Sequence, residues 1–122
     1  MKKGRKTSGG KYKKSRKKRK HEISGNPRNV RLGERKTKII KLRGGKKKVV
    51  LLSDNKMNLI VHGKAKVVKI KNVLETPSNR FLARQNILVK GAIVDTELGR
   101  AKITNRPSQE SQIQGILIGE KT

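Results

Sequence analysis

The chain has 122 residues, 34 Lys+Arg against 8 Asp+Glu, a formal net charge of +26 and no cysteine. That length suits one small domain with an arm, the missing cysteines exclude disulfides and thiolate metal sites, and no apolar run approaches the roughly 20 residues that span a bilayer. Self-repulsion on this scale predicts a monomer when free and a polyanion as partner, which nucleic acid supplies most directly.

Residues 1–20 hold 12 basic residues and no acid, so the other 102 residues still carry +14. The stretch "GGKYKKSRKKRKHE", Gly9 to Glu22, has its one acid at its end. It cannot bury a core, and residues 1–22 read as a disordered basic arm made pliant by Gly4, Gly9 and Gly10. Met1-Lys2-Lys3 leads into charge, not into the apolar stretch of a signal peptide. The first 20 residues contain no Leu, Ile, Phe or Trp to anchor in a membrane surface, so a soluble intracellular chain without a membrane partner is expected. Residues 23–35 read as a linker turning into structure, with Asn26-Pro27 as a turn signal.

From residue 36 the pattern is β, and residues 36–119 are expected to form the body, with 120–122 as a tail. "KTKIIKLRGGKKKVVLL" is two strand-like runs around Gly44-Gly45, which supply the positive φ of a tight hairpin. Ser53-Asp54-Asn55 turns the chain into "NLIVHG", a short strand ended by Gly63. "KAKVVKIKNVLE" alternates, with Val68, Ile70 and Leu74 on one face and Lys69 and Lys71 on the other, until Pro77 stops it. "SNRFLARQN" is the one helical turn, with Ser78 as its expected N-cap. "ILVKGAIVDT" and "GRAKITNR" flank Glu97-Leu98-Gly99 as a second hairpin, and "GILIG" is a last strand. Short strands with frequent turn signals predict an all-β fold, a small closed or nearly closed barrel. With 31% apolar residues and only Tyr12 and Phe81 as aromatics, its core is thin, and the body should gain stability on its partner.

Catalysis finds little support. His21 sits in the arm and His62 in a turn; Asp95 and Glu97, two apart, would share a strand face, with salt bridges to the many cations as their ordinary role. "GAIVDTELGR" lacks the Gly-Lys-Ser/Thr ending of a phosphate loop. No enzyme, cofactor or metal is expected.

Cations that reach phosphates are plentiful. The arm offers Arg5, Lys6, Lys11, Lys13, Lys14, Arg16, Lys17, Lys18, Arg19 and Lys20, and the first hairpin tip offers Arg43, Lys46, Lys47 and Lys48. Arg28, Arg31, Arg84, Lys90 and Arg106 are further candidates, and Gly9, Gly10, Gly44 and Gly45 let the backbone approach a ligand closely. Two aromatics cannot build a stacking platform for single strands, and no helix-turn-helix or zinc signature is present. Recognition by shape and phosphate remains, which suits folded, duplex-rich RNA; DNA compaction stays open on charge alone.

Several elements in order resemble the archaeal and eukaryotic small-subunit ribosomal protein S-eight-e family. They are Arg5-Lys6-Thr7 leading to Ser8-Gly9-Gly10; Lys17-Lys18-Arg19-Lys20 with Glu22; Pro27, Arg31 and Gly33-Glu34; and Arg43-Gly44-Gly45 before a lysine and an aliphatic strand. "RQNILVKGAIVDTELGRAKITNRPSQ" is similar to the family's "R-N-I-x-x-K-G-A-I", "T-E-L-G" and "R-P-x-Q" elements. His21 departs from a frequent aromatic, Ser24-Gly25 from a Gly-Arg pair, and Ser108 from a glycine. Where the resemblance would imply an RNA contact near residue 25, this chain has no arginine to make it. The resemblance implies a cytoplasmic, ribosome-bound component that binds small-subunit (16S-type) rRNA beside neighbouring small-subunit proteins, built on a six-stranded antiparallel β-barrel. A ribosome-maturation factor sharing the domain, or a generic nucleic-acid chaperone, is the alternative.

Overall fold

The computed structural model describes residues 4–13 and 16–120; Lys14, one of the expected arm contacts, lies outside them. Among the described residues nine strands and one short α-helix follow in order: β1 Val30–Leu32, β2 Lys36–Lys41, β3 Lys47–Asp54, β4 Lys56–Val61, β5 Lys64–Glu75, α1 Arg80–Arg84, β6 Ile87–Leu88, β7 Ile93–Thr96, β8 Gly99–Ile103 and β9 Gln114–Glu120. The fold is all-β. Three hairpins come from local chemistry. Gly44 and Gly45, each at φ 77°, turn β2 into β3, and the Leu42 N–H donates to the Lys46 carbonyl at 2.7 Å. His62 (φ 47°) and Gly63 (φ 77°) make the two-residue turn between Val61 and its partner Lys64, where positive φ at both positions matches the strand twist. Between β7 and β8 the buried Thr96 hydroxyl donates to the Gly99 carbonyl at 2.7 Å across Glu97-Leu98.

The strands divide into a four-stranded sheet, ordered β2-β3-β1-β6, and a closed barrel, β4-β5-β7-β8-β9. The barrel therefore has five strands where six were expected, and it is not wholly antiparallel. The first hairpin accounts for the difference, because β3 pairs with β2 and β1 outside the barrel. Parity accounts for the direction. Around a closed ring, strand directions can alternate only if the number is even, so five strands force a parallel pair. It falls at β4 and β9, with Ile60 beside Ile116.

One core serves both units. Val30, Leu51 and Leu88 of the sheet cluster with Met57, Leu59, Val68, Ile70, Val73, Val94, Ala101 and Ile103 of the barrel. β5 departs from simple alternation: its register shifts between Ile70 and Asn72, and again between Val73 and Glu75. A bulge inserts one residue and reverses which faces point inward, so Val73 is buried and Leu74, expected inside, is 45% exposed. The helix starts one residue later than expected. Asn79, not Ser78, caps it, its Oδ1 accepting the Phe81 N–H at 3.0 Å. Strand β1 begins within residues 23–35, and the Arg28 guanidinium donates to the Ser108 carbonyl at 3.4 Å.

Gly115 lies where β9 passes over the core. A methyl group there would stand 2.4 Å from Met57 Cε and 2.7 Å from the Lys102 carbonyl oxygen. The methionine can yield, but the backbone of the paired strand cannot without opening the barrel. Gly115→Ala should therefore lower unfolding stability by about 1–3 kcal/mol in urea titration, whereas Gly119→Ala, with nothing within 4 Å of the added carbon, should have a smaller effect. Equal effects would contradict this packing.

Candidate nucleic-acid interface

Expected contact residues fall in three regions. In the arm, the described cations Arg5, Lys6, Lys11, Lys13, Arg16, Lys17, Lys18, Arg19 and Lys20 are all exposed. The arm also has local order. The Lys6 N–H donates to the Gly10 carbonyl and the Gly9 N–H to the Lys6 carbonyl, each at 2.9 Å, and Arg5 bridges Lys11. Gly9, at φ 77°, thus serves the turn itself, while Gly10 has only Ser8 Oγ near the position of a Cβ. Lys6 Nζ stands 5.8 Å from the centroid of the Tyr12 ring.

Farther along, Glu22 gathers the arm's basic run. Its carboxylate accepts two bonds from the Arg16 guanidinium, at 2.5 and 2.9 Å, and one from the Arg19 N–H at 2.9 Å over the turn Lys20–Glu22. The Arg16 bond, then the Arg19 N–H, holds the Glu22 pKa below its ordinary value, and Glu22 in turn raises that of Arg16. Arg16 is thus the one arm cation already paired bidentately among the described residues.

The second region is the β2–β3 hairpin. Arg43, Gly44, Gly45, Lys46 and Lys47 are exposed and Lys48 is partly covered. No atom lies within 4 Å of a Cβ placed on Gly44 or Gly45, so the tip is open to a close approach. Lys41 stands directly opposite Lys47 in the register. Like charges so placed oppose pairing, and an anion at the tip would relieve them. Lys36, Lys38 and Lys41 on β2 extend this surface, and are exposed as well; they sit in a run whose alternation of Thr37, Ile39 and Lys41 with Lys38, Ile40 and Leu42 reads first as a strand.

The remaining candidates are spread over the body. Arg28 and Arg31 flank the start of β1, Arg84 ends α1, Lys90 lies in the loop before Gly91, and Arg106 in the loop before β9. All five are exposed. Sequence reading missed Arg35, whose guanidinium donates to the Ser111 carbonyl at 3.2 Å and stands 3.9 Å from the buried Asp54 carboxylate. It also missed Arg80, Arg100 and Lys102, which are exposed on α1 and β8; nothing in their neighbours distinguishes them until the fold gives each its face.

Asp95 and Glu97 do not share a strand face as expected. β7 ends at Thr96, so Glu97 lies in the turn, and Asp95 stands opposite Arg100. Among the described residues no group of three His, Asp or Glu is placed to hold a metal, and no helix is long and apolar enough to cross a membrane.

One outward face is mostly apolar at its centre. Ile60 on β4 lies between Ala65 on β5 and Ile116 on β9. Ile60, Val67, Ile116 and Ile118 are 43–72% exposed. A shallow cleft of about 260 Å³ runs along Ile60, His62 and Ile118. Lys102, opposite Ile116 on β8, borders this face.

Two outcomes follow from these pairs. Lys47→Glu should stabilise the free protein by about 0.2–1 kcal/mol by relieving the pair with Lys41, yet weaken RNA binding; a loss in both would contradict the register. Because the native pKa of Glu22 is lowered, its contribution to the turn is full above the ordinary carboxylate pKa and fades as pH falls through the lower native value. An NMR titration of the Glu22 carboxyl should give a midpoint below the ordinary 4.5; a midpoint at that value would mean that the Arg16 pair does not form.

The chain matches the family model described as Ribosomal protein S8e over residues 1–118. It is 50% identical over 106 residues to the small ribosomal subunit protein eS8 of Nanoarchaeum equitans, covering 85% of this chain and 84% of that one. It is 46% identical over 117 residues to the protein of the same name from Staphylothermus marinus, covering 93% and 91%, and 45% identical over 103 residues to that of Methanobrevibacter smithii, covering 83% and 82%. With the family pattern running through arm, sheet and barrel alike, the chain belongs to the ribosomal protein S8e family.

Proposed function

We propose that this protein is a structural constituent of the small ribosomal subunit, cytoplasmic and ribosome-bound, that binds small-subunit rRNA through phosphate and shape contacts. The observation that carries this reading is the uncompensated charge of the chain: 34 basic groups face 8 acidic ones, and the exposed cations extend from the arm across the hairpin tip to the loops. Family membership supports ribosomal RNA as the polyanion, since the relatives bear the name of a small-subunit protein. The arm threads between rRNA helices and becomes ordered as phosphates neutralise it. The hairpin tip, free of obstruction at Gly44 and Gly45, lays its backbone against a phosphate chain. No catalytic group is needed for this role.

The apolar face of Ile60, Val67, Ile116 and Ile118 suits a neighbouring ribosomal protein. Its centre offers nothing to a phosphate, and an apolar patch with a charged border has the anatomy of a protein interface.

Cosedimentation with small subunits over a salt series tests the reading. A ribosomal constituent should stay bound at salt that strips a merely ionic binder; complete release at the same salt that frees it from duplex DNA would favour a compacting protein. Replacing Lys17, Lys18 and Arg19 together by alanine should weaken rRNA binding and lower the steepness of its salt dependence by about two to three. Unchanged affinity would remove the arm from the interface.

A further inference from the structure

Beside the bulge of β5 lies a cleft of about 400 Å³, bounded by Asn72, Val73, Arg80, Ala83, Arg84 and Asn86. Its polar groups share one chemical character. The Val73 N–H donates to Asn72 Oδ1 at 2.9 Å and reaches Asn86 Oδ1 at 3.3 Å. An N–H can only be met by an acceptor, so both amides must present their oxygens to Val73 and their Nδ2 groups elsewhere. Neither Nδ2 has a partner among the described residues. Asn86 holds this position at φ 52°, in the left-handed region that asparagine tolerates.

Arg80 and Arg84 complete the cleft. Four apart on α1, they project from the same side of the helix. Both are exposed, and among the described residues no carboxylate lies within 4 Å of either guanidinium. The cleft therefore presents two guanidinium forks and two amide donors, while its two side-chain oxygens are turned to the Val73 N–H. A base edge that mixes donors and acceptors fits such a lining poorly. A phosphate, which only accepts and spreads its charge over its oxygens, fits it well.

We infer that the cleft between α1 and β5 is a binding site for a single phosphate group of RNA, an inference that rests on the rRNA-binding reading above. Arg84 was legible in the sequence as one cation among many; Asn72, Arg80 and Asn86 join it only through the bulge and the left-handed turn. Inorganic phosphate has the same chemistry, and the test separates the two sources.

Asn72→Asp provides a nearly isosteric probe. Its carboxylate still accepts the Val73 N–H but replaces the free donor with negative charge. Gln112→Glu makes the same change of charge outside the cleft and keeps an acceptor for Asn58 Nδ2, 3.4 Å away. Binding of each full-length protein to a small-subunit rRNA transcript would be measured over a salt series, with phosphate-ethylation interference on the same RNA. Asn72→Asp should weaken binding about tenfold more than Gln112→Glu, reduce the salt slope by about one, and abolish interference at one phosphate. Equal effects of the two variants, or an unchanged interference pattern, would overturn the site. If inorganic phosphate, compared with chloride at matched ionic strength, stabilises the unmodified protein but not Asn72→Asp while the two bind RNA alike, the cleft takes the free anion and the RNA assignment falls. Loss of discrete interference with the unmodified protein would overturn the rRNA-binding reading first, and the site with it.

Discussion

Charge that the chain cannot neutralise internally governs this molecule. Among the described residues, carboxylates approach basic groups at Glu22 and Asp54 only. The other described cations have no carboxylate beside them, and the register even sets Lys41 against Lys47. Such a surface raises the energy of the compact state and lowers that of a complex with a polyanion. The thin core follows the same logic: among the described residues fifteen buried apolar side chains suffice to set the geometry of the cations, and phosphates can supply the remaining stability.

Barrel closure gives that surface its form. Five strands close only with one parallel neighbour pair, and the loop from Thr104 to Ile113 leads out of β8 into β9, the strand that closes the ring by pairing with both β8 and β4. Asn105 organises this loop, its Nδ2 donating to the Gln112 carbonyl and its Oδ1 accepting the Gln114 N–H, at 2.7 and 2.9 Å. Freed from the ring, β2 and β3 project their Gly-Gly tip away from the core. The barrel is thus a rigid base, and the hairpin and arm are its reach.

Much of this was legible because local chemistry sets it. Gly44-Gly45 and the Glu97-Leu98-Gly99 turn marked two hairpins, Gly63 marked the end of a strand, and alternation located β5; that His62-Gly63 makes a third hairpin came from the structure. The partition into two structures was not legible, because β3 reads as a strand whichever neighbours it pairs with. Nor was Leu74's exposure, since a bulge leaves composition unchanged while reversing the faces. The cations of the arm and hairpin stood out as runs in the sequence. Arg35 and Arg80 did not, because a single arginine acquires meaning from what the fold sets beside it: the Ser111 carbonyl in one case, Arg84 and two asparagines in the other. The Arg16–Glu22 pair was hidden for the opposite reason, a lone acid at the end of a basic run giving no sign of which cation it would hold.

The central claim, that a shaped arrangement of cations and not charge alone selects the partner, is most directly tested by footprinting the full-length protein on small-subunit rRNA with excess duplex DNA as competitor. The account predicts discrete protections that persist in the presence of the competitor. Diffuse protection, lost in proportion to added DNA, would contradict it.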